Sequence, residues 1–381
     1  PYNPVAMSYL AISFIILFSG YGIYKDKNIQ YIIINNIYLY NFLEITLIVI
    51  GFGAIIFFSP FAWYSLSAEN IGVQRIIFNN PDVQRQLLGK WGIINSVFSL
   101  GANLFLLAQI CAFINLTQNH NKKKSRKALL LFASSLSYVV YILAYVGRDG
   151  IVYWSMSFVF CYMLFRDFFT IEQKNKIKKA FLLVLVMLAI PFFLISISRF
   201  SRHQYGLTWS LVNYYGQQVR NFNDHFLIEA PISYGQTGFP VFTNMMEAIG
   251  LSFGSEYLKE DMWLYFLREG VAPWVFSSFI GSFLRNFGKI GTWVALLIMS
   301  VSVGNIVRNV MRKKAFSFSN IIMFALFFQI PYWGVFYFRQ YSDNYYIIIM
   351  FLLSISFKSA PACKKIIIKK VPKVLSKDVV I

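Results

Sequence analysis

The chain has 381 residues, of which 57% are hydrophobic and only 13% are charged. Many apolar runs are close to twenty residues long, the length at which a helix crosses the roughly 30 Å hydrocarbon core of a bilayer. A helix also satisfies its backbone hydrogen-bonding groups within one segment, as lipid requires. These properties exclude an ordinary soluble domain and predict an all-α, polytopic membrane protein built as a helical bundle.

The net charge of +19 does not indicate nucleic-acid binding, because the basic residues form short clusters beside the apolar runs. Such clusters are a topology signal of membrane proteins. Cys111, Cys161 and Cys363 have no paired spacing, so they predict neither a disulfide framework nor a zinc site.

About nine membrane spans are expected, and ten if a helix precedes Pro1, where the chain starts without Met. The predicted spans are 5–24, 43–65, 91–117, 128–147, 150–167, 180–198, 287–306, 317–336 and 341–357. With nine spans, the basic clusters fall on one side of the membrane, which the positive-inside rule makes cytoplasmic. These clusters are 122–127, 174–179, 308–314 and the tail from residue 358.

This topology divides the chain into four parts. Membrane helices (1–198) are followed by a large external loop (199–286), further membrane helices (287–357) and a basic cytoplasmic tail (358–381). The loop is predicted to be ordered, with short helices over 243–249 and 262–267 lying across the outer mouth of the bundle.

The external loop is the only segment large enough to form a site of its own, and its cations are mainly arginines. They are Arg199, Arg202, Arg220, Arg268 and Arg285, against the single lysine Lys259. The planar fork of arginine binds phosphate oxygens bidentately. The pattern predicts a diphosphate or anionic-sugar site at the outer membrane surface. The alternative is interfacial snorkelling and pairing with the carboxylates of the loop.

Other polar residues are candidates for the same chemistry. Arg148 and Asp149 occupy a tight turn between two spans, where ionisable groups are costly and often functional; the alternative is an ion pair at the tip of a hairpin. His203 follows Arg199 and Arg202 and has the chemistry of a base near neutral pH, although a lone histidine is more often structural.

Two further observations bear on the site. The stretch from Asn221 to His225, which includes Asn223 and Asp224, is amide-rich and suited to sugar hydroxyls, with a helix cap and turn as the alternative. The sequence has no metal motif, phosphate-binding loop, dinucleotide fingerprint or nucleophile elbow. That absence disfavours nucleotide-driven transport and serine hydrolysis.

Four stretches carry a resemblance to a known family. They are 147–152 around Arg148, the span exit at 196–199, Tyr215 to Asn223, and 273–291 leading into the next span. Together they resemble the Wzy-type oligosaccharide repeat-unit polymerases of bacterial O-antigen and capsule pathways. Where many relatives carry the acid of an Asp-Phe-Gly, this chain has Asn286, so no acidic role is transferred to that position. Some relatives carry, in an external loop, an arginine followed by ten residues and then a glycine. No arginine of the loop in this chain has a glycine at that spacing.

The resemblance implies that a growing glycan is transferred from one polyprenyl diphosphate carrier onto another lipid-linked repeat unit. The reaction would take place at the outer face of the bacterial inner membrane without cofactor, metal or nucleotide. Its partners would be the polyprenyl-diphosphate-linked oligosaccharide, membrane lipid, and the chain-length regulator and flippase of the same pathway.

Residues are assigned to this chemistry in two groups. The predicted catalytic residues are Arg148, Arg199, Arg202 and His203. The predicted substrate-binding residues are Asp149, Tyr215, Arg220, Asn221, Asn223, Asp224, Arg268 and Arg285. Arg148, Arg199 and Arg202 are expected to converge on one outward-facing pocket. The alternatives are a glycan ligase, a lipid-linked oligosaccharide flippase or transporter, and a non-enzymatic assembly subunit.

Overall fold

Helices dominate the computed structural model of the chain. It describes residues 2–22, 24, 29–67, 71, 92–118, 122–200, 206–228, 232–236, 238–251, 259–271, 277–334, 345–359 and 365–370. The first helices are α1 (Pro4–Ser19), α2 (Ile37–Ser67), α3 (Gly92–Asn103), α4 (Phe105–Leu116), α5 (Lys122–Ser135), α6 (Ser137–Ala144) and α7 (Asp149–Phe165). A 3-10 turn (Arg166–Phe168) leads into α8 (Ile171–Phe200). The later helices are α9 (Gly206–Leu227), α10 (Pro240–Ala248), α11 (Lys259–Arg268), α12 (Ser278–Lys313), α13 (Phe318–Trp333) and α14 (Tyr345–Ser359).

Several of the described helices are long and apolar enough to cross a membrane. Four meet this criterion: Ile37–Ser67, Lys122–Ala144, Ile171–Ser198 and Ser278–Lys313. The pair α3 and α4, bent by 48° at Leu104, would make a fifth as one broken span. Helices overlap every predicted span, but α1, α13 and α14 are shorter than the membrane-spanning length, and α7, with 17 residues, is not among the candidate spans either. The helical membrane class is therefore supported, while the number nine stays a prediction.

A small sheet, which was not predicted, accompanies the helices. It has the order β2–β1–β3, with β1 at Tyr31–Ile34, β2 at Ala315–Ser317 and β3 at Ile366–Lys369. β1 pairs parallel with β2 and antiparallel with β3. Its isoleucine-rich run suits a strand because β-branched side chains pack well on a pleated surface.

Contacts divide the chain into two compact units. The first unit comprises Pro1–Tyr24, Ser196–Asn309 and Ser319–Ser356, and the second comprises Lys25–Ile195, Val310–Phe318 and Phe357–Ile381. Because the units group residues by contact, they do not test the predicted boundaries at 198, 286 and 357.

The second unit is a helical bundle with the sheet at one end. In it α2 packs along α3, α5 and α6, while α4 packs against α5 and α7. Gly51 of α2 allows close packing, because a Cβ at this position would lie 2.8 Å from the Ser134 side chain. Helix packing through small residues of this kind is common in membranes.

The first unit has an aromatic core between α1, α9 and α12. Tyr9 stacks on Trp293 with ring centroids 4.8 Å apart and contacts Phe226 at 5.0 Å. Its hydroxyl donates a 2.6 Å hydrogen bond to the carbonyl of Lys289. These contacts fix α9 against α12, the two helices that carry most of the candidate site.

The part of the predicted loop that the structure describes is largely helical. α10 and α11 cover the two stretches predicted to be helical, 243–249 and 262–267, to within a residue. Placement of this region on the external side stays a prediction.

Candidate functional site

The candidate site starts from the burial pattern of α9. Gln218, Phe222, His225 and Phe226 are buried, whereas Arg220 on the opposite side is exposed. The spacing of three and four residues places the buried side chains on one face of the helix. His225, with 2% of its surface exposed, therefore faces the protein interior at the C-terminal end of α9.

α11 and α12 complete the surroundings of His225. The ring of Phe266 in α11 meets the imidazole edge-on, with centroids 4.6 Å apart. The guanidinium carbon of Arg285 in α12 lies 6.0 Å from the centroid of the same phenyl ring. Arg285 also donates from Nη2 to Ser277 Oγ at 3.3 Å, which helps to hold its planar fork.

A cavity of about 360 Å³ opens between these helices. This volume lies in the range of about 300–1,000 Å³ typical of ligand pockets. Its lining residues are His225, Ile228, Ile232, Phe266, Leu284, Arg285, Phe287, Gly288, Lys289, Ile290 and Gly291. The charged side chains among these described lining residues are Arg285 and Lys289, and none is acidic. The cavity is thus suited to an anion that carries an apolar part.

The backbone of α12 is broken at the cavity. Gly288 has φ 70° and ψ −177°, a non-helical conformation inside the helix. This region is accessible essentially only to glycine. A Cβ there would also lie 2.7 Å from the Ile232 side chain. The helical segment after the break begins with Lys289, Ile290 and Gly291, so the positive end of its dipole lies beside the cavity.

Asn286 links the segment from Ser233 to Gly238 to α12 by hydrogen bonds. Its side chain is fully buried, and its Oδ1 accepts hydrogen bonds from Ser233 Oγ at 3.0 Å and from the Gly238 amide at 2.8 Å. Its Nδ2 donates to the Ser282 carbonyl at 2.6 Å. The Ser233 amide also donates to the Arg285 carbonyl at 3.1 Å. These bonds fix the segment that brings Ile232 to the cavity.

Several predicted catalytic residues lie outside what the structure describes. Arg202 and His203 are not among the described residues, and neither are the side chains of Arg199 and Tyr215. Arg199 belongs to the last turn of α8 and Tyr215 to α9. The predicted convergence of the three arginines therefore stays a prediction.

Arg148 and Asp149 lie in the second unit. Arg148 is the residue before α7, is 8% exposed, and places its guanidinium carbon 5.6 Å from the Phe192 ring centroid. Asp149 follows in the first turn of α7, where a carboxylate is stabilised by the helix dipole. The tight turn predicted between two apolar segments is present.

The amide-rich stretch is part of α9 rather than a cap and turn. Asn223 is buried and engaged, because its Oδ1 accepts from the Asn3 amide at 2.7 Å and its Nδ2 donates to Asp224 Oδ1 at 3.1 Å. Asp224 also lies 3.9 Å from Arg220 Nε across one turn. Asn221 is partly buried on the same helix. Their proposed contacts with sugar stay predictions.

Arg268 and Arg285 are the remaining predicted arginines, and of these two Arg285 lies at the cavity. Arg285 lies within α12, not in a loop, and lines the cavity. Arg268 is exposed in the last turn of α11 and is not among the lining residues.

Sequence reasoning assigned no role in the site to Lys289, and none to His225 beyond its place in the amide-rich stretch. The signal for His225 was available in the spacing of Phe222, His225 and Phe226, which places all three on one helical face. The role of Lys289 could not be found in this way, because it depends on the break at Gly288.

Two further findings delimit the interpretation. Among the residues that the structure describes, no group of three His, Cys, Asp or Glu side chains is arranged to hold a metal ion. Comparison with protein-family models, curated proteins and solved structures found no match for the chain.

Proposed function

We propose that the chain is a glycan polymerase that joins polyprenyl-diphosphate-linked oligosaccharide repeat units, and that the cavity of the first unit holds the diphosphate. One observation carries the proposal: Arg285, Lys289 and the start of a helical segment all lie around the same cavity. Arginine forks and helix N-termini both favour phosphate oxygens. The apolar lining residues would accept the part of the substrate next to the phosphates.

In the proposed reaction, the acceptor sugar hydroxyl attacks the anomeric carbon of the growing glycan. A glycosidic C–O bond forms, and the C–O bond to the carrier diphosphate breaks. His225 would take the proton of the attacking hydroxyl, since an imidazole titrates close to neutral pH. The polyprenyl diphosphate leaves with the bonding electron pair.

Catalysis would come mainly from stabilising the leaving group. Negative charge develops on the diphosphate as the bond breaks, and cations held in place beforehand stabilise that charge without reorganising. Arg285 meets this requirement because Ser277 and Phe266 hold its guanidinium. Lys289 would add a second positive charge, its Nζ lying 4.6 Å from the Phe226 ring centroid.

The test is polymer length in a strain whose own copy is deleted and replaced by variants at matched expression. Arg285→Ala should lower the polymerisation rate roughly tenfold to over a hundredfold, the equivalent of one charge-assisted hydrogen bond of about 1.5–3 kcal/mol. Arg285→Lys should rescue only in part, because an ammonium lacks the planar fork. His225→Gln should also shorten the polymer.

Arg308→Ala is the matched control, because this arginine is exposed further along α12 and does not line the cavity. It should give wild-type polymer. Normal polymer from both Arg285→Ala and His225→Gln would overturn the assignment of this cavity. In the deletion strain, single repeat units should accumulate on the lipid carrier at the outer face of the membrane. Accumulation at the inner face would instead identify a flippase.

A further inference from the structure

We propose that a groove in the second unit, between α5, α7 and α8, binds one anionic phospholipid. Its headgroup would lie at Arg126 and Lys176, and an acyl chain would lie along the aromatic wall formed by α5, α7 and α8. This proposal concerns a different cavity from the candidate active site and does not rest on the proposed polymerase activity.

The groove is large and mostly apolar. Its volume is about 570 Å³. The apolar lining residues are Leu116, Leu129, Phe132, Ala133, Leu136, Trp154, Phe158, Ile177, Ala180, Phe181 and Val184. The polar lining residues are Ser125, Arg126, Gln173 and Lys176. All four polar residues lie in the first two turns of α5 and α8, whereas the apolar lining residues of these two helices continue further along them.

The helices that form the groove are at membrane depth by length and composition. Lys122–Ala144 and Ile171–Ser198 are both long and apolar enough to cross a bilayer. A groove between such helices is apolar where hydrocarbon would lie and polar at the level of the headgroups. A phospholipid is divided in the same way, with a polar headgroup at one end and apolar acyl chains at the other.

Aromatic rings give the groove a defined wall. Phe158 and Phe181 stack in parallel with centroids 4.2 Å apart, and Phe132 meets Phe158 at 5.6 Å. Trp154 donates its indole N–H to Ser135 Oγ at 2.9 Å, which fixes the orientation of the ring. An acyl chain along this wall would gain contacts without requiring the side chains to rearrange.

α8 leaves room for a lipid because much of the apolar surface that the structure describes on this helix is exposed. Leu183, Val186 and Ile190 are 59%, 62% and 65% exposed. Only 11% of the apolar window of this helix is buried. The surface of α8 therefore requires hydrocarbon around it, and the groove continues this lipid-facing surface.

The mouth of the groove keeps a positive charge. Lys176 pairs with Glu172 at 2.5 Å, but both side chains are mostly exposed, and an ammonium has three donors. Arg126 is exposed on α5 and adds a second cation to the mouth. Gln173 is held there by donating to the Leu116 carbonyl at 3.1 Å. The neighbouring ionisable groups on both helices, Glu172 apart, are lysines: Lys122, Lys123, Lys124, Lys127, Lys174, Lys178 and Lys179.

This charge selects an anionic lipid over a zwitterionic one. Basic pockets between membrane helices bind anionic headgroups, and basic clusters at a membrane surface are attracted to anionic lipids. A free phosphate ion would occupy only the mouth and leave the apolar groove unfilled. The two parts of the groove together are matched by a phosphate joined to an acyl chain.

The test is a lipid titration of the full chain in detergent, followed by native mass spectrometry. Phosphatidylglycerol is compared with phosphatidylcholine of the same acyl chains, and inorganic phosphate is added as a competitor. We expect one phosphatidylglycerol to bind at least about tenfold more tightly than phosphatidylcholine, because two cations at the membrane surface attract its negative charge. Millimolar phosphate should not displace it.

Two kinds of variant separate the headgroup from the groove. Arg126→Gln with Lys176→Gln should weaken phosphatidylglycerol about tenfold and leave phosphatidylcholine unchanged. Ala133→Phe, which fills the groove, should weaken both lipids. Lys123→Gln with Lys178→Gln is the matched control, because it removes two cations from the same helices but neither lines the groove. This control should bind like the wild type.

Four results would overturn the proposal. Equal binding of the two lipids would remove the headgroup selectivity, and equal losses in the test and control pairs would indicate a general surface charge effect. Displacement of the lipid by inorganic phosphate alone would identify an anion site without an acyl chain. Unchanged binding after Ala133→Phe would also place the lipid elsewhere.

Discussion

Glu44 is a carboxylate inside an apolar helix, and its side chain has no solvent exposure. It accepts hydrogen bonds from Lys127 Nζ at 2.5 Å and from Asn115 Nδ2. A charge in this position is costly unless it is paired and hydrogen-bonded. The pair joins the start of α2 to α5, so it is part of the structure of the second unit.

Replacing this carboxylate should destabilise the protein. Glu44→Gln removes the counter-charge of Lys127, and we expect the free energy of unfolding to fall by about 1–3 kcal/mol. The loss is limited because the Lys127 side chain keeps 23% of its surface exposed. Glu44→Gln combined with Lys127→Met should lose less than the two single changes added together. Thermal unfolding in detergent measures these differences, and a fully additive result would contradict the pairing.

Asn286 shows why an amide rather than an acid suits its position in this chain. Its oxygen accepts two hydrogen bonds, while its nitrogen donates to the Ser282 carbonyl. Asn286→Asp keeps the acceptor but places a second oxygen against that carbonyl. We expect the free energy of unfolding to fall by about 1–3 kcal/mol. Asn305→Asp, exposed on the same helix, should be close to neutral in the same thermal assay.

At the scale of elements, the break in α12 is the feature on which the candidate site depends. Gly288→Ala should destabilise by about 1–3 kcal/mol, because the backbone conformation excludes a Cβ and Ile232 occupies its place. Since Lys289 reaches the cavity through this break, polymer length should fall as well.

Gly216→Ala provides the matched comparison for the break. A Cβ at Gly216 in α9 meets no atom within 4 Å, so alanine should stabilise this helix by up to about 1 kcal/mol. If Gly288→Ala were as stable and as active as Gly216→Ala, the break would have no role in the site.

The ion pair that holds β3 predicts a pH dependence. Burial raises the pKa of Asp167, but its bond to Lys370, with Nζ 2.6 Å from Oδ2, and the nearby Arg166 and Lys174 outweigh this effect. The pKa therefore lies below its ordinary value of 3.8. Because the pKa is lower in the folded chain, the contribution is complete above that ordinary value. It is lost as the pH falls through the folded pKa.

The pair is partly exposed, so its contribution should be about 1 kcal/mol or less. Unfolding temperature measured from pH 6 down to pH 3 should fall less steeply for Asp167→Asn than for the wild type. Glu172→Gln removes a pair whose side chains are mostly exposed, and it should follow the wild-type curve. Parallel curves for Asp167→Asn and the wild type would show that the pair has no effect on stability.

At the scale of the whole molecule, the sequence predicts the features that the surrounding lipid imposes, which are the apolar helices. Apolar runs predict helices because lipid leaves a single segment few other ways to satisfy its backbone. The sheet was not predictable, because Tyr31 pairs with Ala315 and Lys369, residues far apart in the chain. The site was predictable only in part: Arg285 stood out by its residue type, whereas Lys289 joins it through the conformation of Gly288.

The sheet also bears on the topology of the chain. β1 follows the first predicted span, β2 the seventh and β3 the ninth, and Asp167, which pairs with Lys370, is the last residue of the fifth. With nine crossings all four positions fall on one side of the membrane, as their direct contacts require. An extra crossing between any two of them would place paired residues on opposite sides.

The topology is tested by reporters fused at successive positions. A fusion after Lys179 should report the cytoplasmic side, because this position belongs to the basic links that the positive-inside rule retains there. A fusion after His225 should report the opposite side, because one further span, α8, separates the two positions. A third fusion after Lys370 should agree with the first, since β3 pairs with β1. The same side for Lys179 and His225 would exclude α8 as a span, and with it an external location of the candidate site.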